Sequence, residues 1–241
     1  MSTKLLGVSN AKTIKGLKRN VLTGILYLAP YNLSGWNVCP LASKGCAAAC
    51  LFSAGRGKMN TVRNARIRKT KYFFTDRRSF MADVVSDIMY LKRKAERMGV
   101  DLAIRLNGTS DIRWENIPVD TEYTFRGETT LIRAASIMEA FPEVTFYDYT
   151  KLYNRRIAHL PNYSLTFSRS EENENKIETA FKNGMNVAVV FSTVPDSWKG
   201  RKVINGDDTD IRFMDPRNVV VGLTAKGDAK SDTSGFVVHP S

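Results

Sequence analysis

Cys39, Cys46 and Cys50 are the only cysteines of this 241-residue chain, and all three fall in one run, CPLASKGCAAAC, spaced C-x6-C-x3-C. A disulfide framework would want an even number, spread along the chain. Thiolates are soft ligands that suit zinc and iron–sulfur clusters. Small residues fill the run (Ala42, Ser43, Gly45, Ala47, Ala48, Ala49), so its backbone can wrap closely around a bound group, and Pro40 stiffens the approach. The residues alone leave three sites open. One is an iron–sulfur cluster, catalytic or structural. Another is a zinc site completed by His159 or His239, the two histidines of the chain. The last is three free thiols with no metal.

Six short apolar, β-branched or aromatic runs can position this loop: 23–29 (TGILYLA), 102–106 (LAIRL), 144–149 (VTFYDY), 164–168 (SLTFS), 186–192 (NVAVVFS) and 218–223 (NVVVGL). Each reads as a buried strand. Apolar residues at helical spacing predict helices over 59–74 and 80–99, the second lined by Phe80, Val84, Val85, Ile88, Leu91 and Ala95 and stopped by Gly99. Further helices are expected over 129–141 and 171–183, with a turn or two over 152–159. Within the polar excursion 198–216, Asn205-Gly206 is a hairpin signal. Strands alternating with helices imply parallel pairing with right-handed crossovers. The expectation is an α/β fold, a partial (βα)6 barrel or an open doubly wound sheet. Residues 1–20 read as a loose basic arm, and 21–241 as one α/β domain carrying the cysteine loop 39–50.

The cysteine loop starts about ten residues after the first strand, and ligand sites of α/β folds gather at the carboxyl ends of strands. This arrangement resembles the radical S-adenosylmethionine (SAM) superfamily, whose partial (βα)6 barrel carries three cysteines on the loop after its first strand. The likeness spans the strand order from about residue 23 to residue 223. The commonest family spacing is CxxxCxxC, whereas the gaps here are six and three residues. The run CP-x-A-S-x-x-C-x-x-x-C is also similar to a group of small phage-encoded proteins. The resemblance implies a [4Fe–4S] cluster on Cys39, Cys46 and Cys50, with SAM on the remaining iron. It further implies reductive SAM cleavage to a 5′-deoxyadenosyl radical and an external electron donor.

The same resemblance marks strand-end residues as cofactor contacts. Asn107, Gly108 and Asp111 occupy the place of the family's Gly-rich motif, although NGTSD reads equally well as a turn. Ser168 and Arg169 follow the fourth strand and offer a hydroxyl and a guanidinium, while Ser170 suits the cap of a helix begun by Glu171. Lys226 follows the sixth strand and can bind an anion. Asp148 lies in an apolar run and needs a partner, for which Lys151 or an arginine is expected. Asp207, Asp208, Asp210 and Asp215 read as a solvated acidic loop rather than a cation site.

The net charge is +12 and the pI about 9.7, which favours an anionic partner, nucleic acid or a nucleotide. Nine basic residues against Asp76 alone lie in 56–78, and Arg63, Arg66 and Lys69 align on one helical face as candidate phosphate contacts. No apolar run reaches ~18 residues, so no membrane span is expected. There is no signal-peptide pattern, and a reducing cytoplasm, the host's for a viral protein, is the expected setting. No G-x-G-x-x-G follows the first strand and no triad surrounds either histidine, which argues against a Rossmann enzyme or a serine-type hydrolase. A metal-bearing nucleic-acid binder without catalysis is the alternative function.

Overall fold

The computed structural model describes residues 4–9 and 11–240. In chain order its elements are β1 (Leu6–Gly7), α1 (Ala11–Leu17), β2 (Val21–Leu26), α2 (Lys44–Ala48), α3 (Asn60–Thr75), α4 (Arg77–Met98), β3 (Asp101–Arg105), β4 (Val119–Phe125) and β5 (Glu128–Ala134). There follow α5 (Ile137–Ala140), β6 (Thr145–Thr150), β7 (Tyr163–Ser168), α6 (Ile177–Lys182), β8 (Asn186–Phe191), β9 (Ser197–Trp198), β10 (Arg201–Asn205) and β11 (Val220–Thr224). The fold is mixed α/β, built on a nine-stranded, mostly parallel sheet ordered β1-β2-β3-β6-β7-β8-β11-β10-β9.

The six apolar runs of the sequence form β2, β3, β6, β7, β8 and β11, paired parallel in chain order. Every residue of β2 is buried, as expected of a strand covered on both faces. One face packs on α4, whose Phe80, Val84, Val85, Ile88, Leu91 and Ala95 join Leu22, Ile104 and Phe146 in one cluster. Asp76 caps the start of α4 by accepting from the Ser79 N–H, and Gly99 closes its end at φ 63°. The alternate residues Val21, Ala103 and Tyr147 face the opposite way, against Ile211 and Phe213 of the segment before β11.

The structure departs from the sequence reading at five places. The described part of the expected loose arm is docked: β1 pairs antiparallel with β2, Leu5 and Leu6 are buried, and their N–H groups donate to Asp87 Oδ2 at 2.7 Å each. Two leucines that extend an apolar cluster outweigh the entropy of a free arm. Residues 1–3 and 10 of that arm lie outside the described residues. The stretch 129–141 is not one helix but β5 followed by the short α5. Positive φ at Arg126 and Gly127 (53° and 86°) closes a β4–β5 hairpin, and Thr129, Thr130 and Ile132 are β-branched residues that fit its ladder.

The helix expected from Glu171 starts later, as a 3₁₀ turn at Glu174–Lys176 that leads into α6. Ser170 does not cap it; its N–H donates to Asn173 Oδ1 at 2.7 Å. The hairpin in the excursion turns at Lys199-Gly200 (φ 49° and 72°), while Gly206 follows β10 and donates to the Gly222 carbonyl at 2.7 Å. Residues 152–159 hold turns and no helix. Leu6→Ala is expected to cost about 2–4 kcal/mol in denaturant unfolding, as for other buried leucines. An unchanged midpoint would mean that the N-terminal strand is not part of the folded core.

Candidate metal and cofactor site

At the carboxyl ends of the parallel strands lies a cavity of ≈ 210 Å³, lined by Cys39, Cys46 and Cys50 together with residues following β3, β6, β7 and β11. Each cysteine is placed by a different part of the fold. Cys39 sits against the turn after β3: the Asp111 N–H donates to the Val38 carbonyl at 2.8 Å, and Sγ lies 3.7 Å from the Thr109 carbonyl. That turn is tied to the end of β2 by Gly108 N–H to Leu26 O (3.0 Å) and Thr109 Oγ1 to Leu28 O (2.6 Å). A Cβ on Gly108 would stand 2.6 Å from the Leu26 carbonyl oxygen, so only glycine allows this approach.

Cys46 lies in α2, whose cap is Ser43: Ser43 Oγ accepts from the Cys46 N–H at 3.1 Å. The Glu171 carboxylate, from the segment after β7, holds that cap, accepting from Ser43 Oγ and the Gly45 N–H at 2.8 Å each. Cys50 leads into a 3₁₀ turn at Leu51–Ser53, where Ser53 Oγ donates to the Cys50 carbonyl at 3.0 Å and accepts from the Asp228 N–H at 3.2 Å. Ala49, Ala225, Ala229, Phe236 and Val237 form a small apolar cluster against Cys46.

The thiols sense one another. Burial pushes the Cys39 thiol up to about 12, and Cys50, Cys46 and Asp111 push it in the same direction. Burial also raises Cys50, with Cys46 adding to it and Arg66 and Lys151 opposing it. Lys151 is the buried cation of the site. Its Nζ donates to Ser168 Oγ at 2.9 Å and to the Arg169 carbonyl at 3.0 Å. Burial lowers its pKa, against the pull of Cys46, Asp111 and Glu171. The thiols of Cys39 and Cys50 therefore favour their protonated form, and a cationic group entering the cavity would favour their thiolates.

Among the described residues, no three His, Cys, Asp or Glu side chains stand close enough to hold a single ion. Tetrahedral zinc needs its thiolates roughly 4 Å apart, whereas cysteines on three corners of an iron–sulfur cube stand wider. His159 and His239 are exposed and do not line the cavity, so a Cys3His set is not assembled.

Of the strand-end residues, Asn107, Gly108, Asp111, Ser168 and Lys226 line the cavity and Arg169 does not. Arg169 is turned into the protein, where it binds the carbonyls of Gly235 and Phe236 and the carboxylate of Glu174. Asn107 is a structural hub: Nδ2 donates to Ile112 O and Asp148, while Oδ1 accepts from Ser110, Ile112 and Trp114. The partners of Asp148 are thus Asn107 and Tyr163 Oη, at 2.6 Å from the Asn107 N–H and 3.0 Å from the hydroxyl, and not Lys151. Lys226 pairs with Asp207 at the rim.

The acidic excursion is not a solvated cluster, since Asp210 is buried against Arg105 at 2.8 Å and Asp215 pairs with Arg212 at 3.2 Å. The basic face of α3 is divided. Arg63 is exposed, the Arg66 guanidinium lies 4.9 Å over the Tyr27 ring, and Lys69 Nζ is used on the Leu5 carbonyl at 2.6 Å. The sequence reading missed two residues at the site: Lys151 on the wall and Glu171 behind the Ser43 cap; Tyr149 also lines the wall, and its hydroxyl is buried without a hydrogen-bond partner. Lys151 immediately follows β6, and that position was the available signal.

Residues 4–240 match the family described as gene product 88. The chain belongs to the gene product 88 family. This is a phage-type family, and the match names no radical SAM relationship. No curated protein and no solved structure matches the chain. Among the described residues of this gene product 88 protein, no helix is long and apolar enough to cross a membrane.

With its thiol raised to about 12, Cys39 of the metal-free protein is expected to alkylate slowly at neutral pH. The iodoacetamide rate, followed by peptide mass spectrometry, is expected to rise about tenfold per pH unit from roughly pH 8 to 10. A plateau near the ordinary thiol value would show that Cys39 is not buried among like groups.

Proposed function

We propose that this protein is an iron–sulfur protein in which Cys39, Cys46 and Cys50 hold three corners of a [4Fe–4S] cluster. The observation that carries this reading is the convergence of all three thiols, with the buried Lys151, on one cavity. What supports the reading is an all-sulfur donor set lining one cavity, beside Arg66 and Lys151, which favour the charged form of Cys50. When bound, the cluster would supply one-electron chemistry. The chain's own part is to hold the thiolates, through the Ser43 cap and Glu171 for Cys46 and the Thr109 turn for Cys39, and to exclude water with Ala42 and Ala49.

SAM is the proposed second ligand, along the wall of Gly108, Asp111, Ser168 and Lys226, with a nucleotide or nucleic acid as substrate and an electron donor as partner. The unpartnered Tyr149 hydroxyl on that wall supports a ligand there. We also infer that the sheet curls towards a partial (βα)6 barrel in the manner of the radical SAM core. In support, the chain after β10, at one edge, reaches across the sheet to the other. Asp210 there pairs with Arg105 of β3, and the Asp207 carbonyl accepts from Lys15 of α1 at 2.5 Å. The proposed setting is the reducing cytoplasm of a phage host.

Two observations favour the second reading, a metal-bearing nucleic-acid binder without SAM chemistry. The cavity, at ≈ 210 Å³, is smaller than the ~300–1,000 Å³ of small-molecule pockets. Asn107 has also spent its amide inside the fold. Reduced, reconstituted protein incubated with SAM separates the two: 5′-deoxyadenosine marks the enzyme, and its absence with the cluster intact marks the binder.

For the cluster itself, anaerobic reconstitution followed by iron and sulfide analysis is expected to give close to four of each per chain. Cys39→Ala, Cys46→Ala and Cys50→Ala are each expected to lose most of both. Fewer than about two irons per folded chain would remove the cluster reading. Glu171→Ala is expected to fold and to release iron faster to a chelator, because it frees the Ser43 cap beneath Cys46.

A further inference from the structure

The protein's net positive charge is confined to one end of the chain. Residues 1–75 contain 13 Lys and Arg and no Asp or Glu, and the rest of the chain carries 23 basic residues against 24 acidic ones. The whole net charge of +12 therefore belongs to the segment that ends with the cysteine loop and α3. Part of it is spent inside the fold, at Arg66 and Lys69. Lys44, Arg56, Lys58 and Arg63 are exposed, and no ion pair among the described residues engages them.

Large apolar side chains share this segment. Tyr31 and Trp36, 41% and 36% exposed, lie on the loop that delivers Cys39, and the Tyr31 carbonyl accepts from the Val38 N–H at 3.3 Å. Trp36 is held in one plane by stacking on Phe74, with ring centroids 5.6 Å apart and planes 8° from parallel. Leu51, on the cavity wall, is itself 49% exposed and marks the mouth. Exposed rings and unpaired cations, which this segment carries together, are the two components of a single-strand binding surface: the rings stack on bases and the cations follow the phosphates. A duplex hides its base faces in the stack and offers phosphates and groove edges, on which these rings could not stack.

We propose that the cysteine-loop face binds a single strand of nucleic acid, with bases stacked on Tyr31 and Trp36 and phosphates on Lys44, Arg56, Lys58 and Arg63. The proposal rests on the reading of the protein as acting on nucleic acid, and it names the substrate form and the route to the cavity mouth. A duplex-specific protein would have no use for the two rings.

The test is fluorescence anisotropy of the full chain, metal-free and reconstituted, with a labelled thymidine oligonucleotide, its duplex with the complementary strand, and phosphatidylglycerol vesicles as competitor. The strand is expected to bind at least tenfold tighter than the duplex. Tyr31→Leu and Trp36→Leu are each expected to weaken strand binding by about tenfold, and Tyr31→Phe to restore it. Replacing Arg56, Lys58 and Arg63 by Ala is expected to flatten the log–log salt dependence by about 2.

Equal binding of strand and duplex would overturn the inference. So would ring variants that bind as the unchanged chain does, or vesicles that bind the protein while the strand does not. Tyr31→Leu and Tyr31→Phe differ only in the ring, so a folding defect at Trp36 does not blunt the test. Iron content is measured on every variant. An unchanged chain that holds iron but binds no strand overturns this inference alone, and iron absent from the unchanged chain with strand binding intact overturns the cluster reading alone.

Discussion

The site depends on a carboxylate buried without a cation in hydrogen-bond contact. Asp148 lies inside the sheet, and burial raises its pKa to about 7 although the Asn107 backbone, Arg105, Arg155 and Tyr163 all favour its charged form. Its hydrogen bonds go to both the backbone and the side-chain amide of Asn107 and to Tyr163. Asn107 in turn binds Ser110, Ile112 and Trp114, which fixes the turn after β3. On that fixed turn stand Thr109 and Asp111, the contacts that place Cys39. A network of this kind is stable only when every member is satisfied, so removing one partner would leave several others stranded in low dielectric.

The three thiols combine on this frame because distant parts of the chain meet at the strand ends. Cys39 is held from β3, Cys46 from the end of β7 through Glu171, and Cys50 from the segment after β11 through Ser53 and Asp228. The loop itself is too rich in small residues to impose a shape. A Cβ on Gly45 would lie 2.1 Å from Ser234 Oγ and 2.7 Å from Glu171 Oε1, so the C-terminal segment and Glu171 press directly on its backbone. Charges of both signs attend the thiols: Asp111 adds to the rise of Cys39, whereas Lys151 and Arg66 oppose that of Cys50.

Much of the frame was legible in the sequence. The six strands and α4 were readable because each is buried by its own residues, so local apolar pattern and tertiary demand agree. The errors fell where they disagree. Residues 129–134 carry apolar residues at helical spacing but sit in a largely exposed hairpin, fixed by the Arg126-Gly127 turn and not by burial. The leucines of β1 are too few to announce a strand, and they gain their order from β2 and Asp87. At the site, the cysteines, Asn107, Gly108, Asp111, Ser168 and Lys226, all singled out from the sequence, line the cavity. Residue type misplaced Arg169, because a guanidinium serves backbone carbonyls as well as it serves a ligand.

By itself, the sequence determined the three clustered thiols, the order of the strands around them and the excess of positive charge, since these follow from composition and short-range pattern. Only the tertiary structure decided that the three thiols share one cavity, that Lys151 and Glu171 attend them, and that Asn107, Arg169 and Lys69 are spent on the fold. Those outcomes rest on contacts between residues up to 175 positions apart, as between Asp228 and Ser53, and the chain cannot announce such pairings locally. They arise when burial forces every polar group at the strand ends to find a partner.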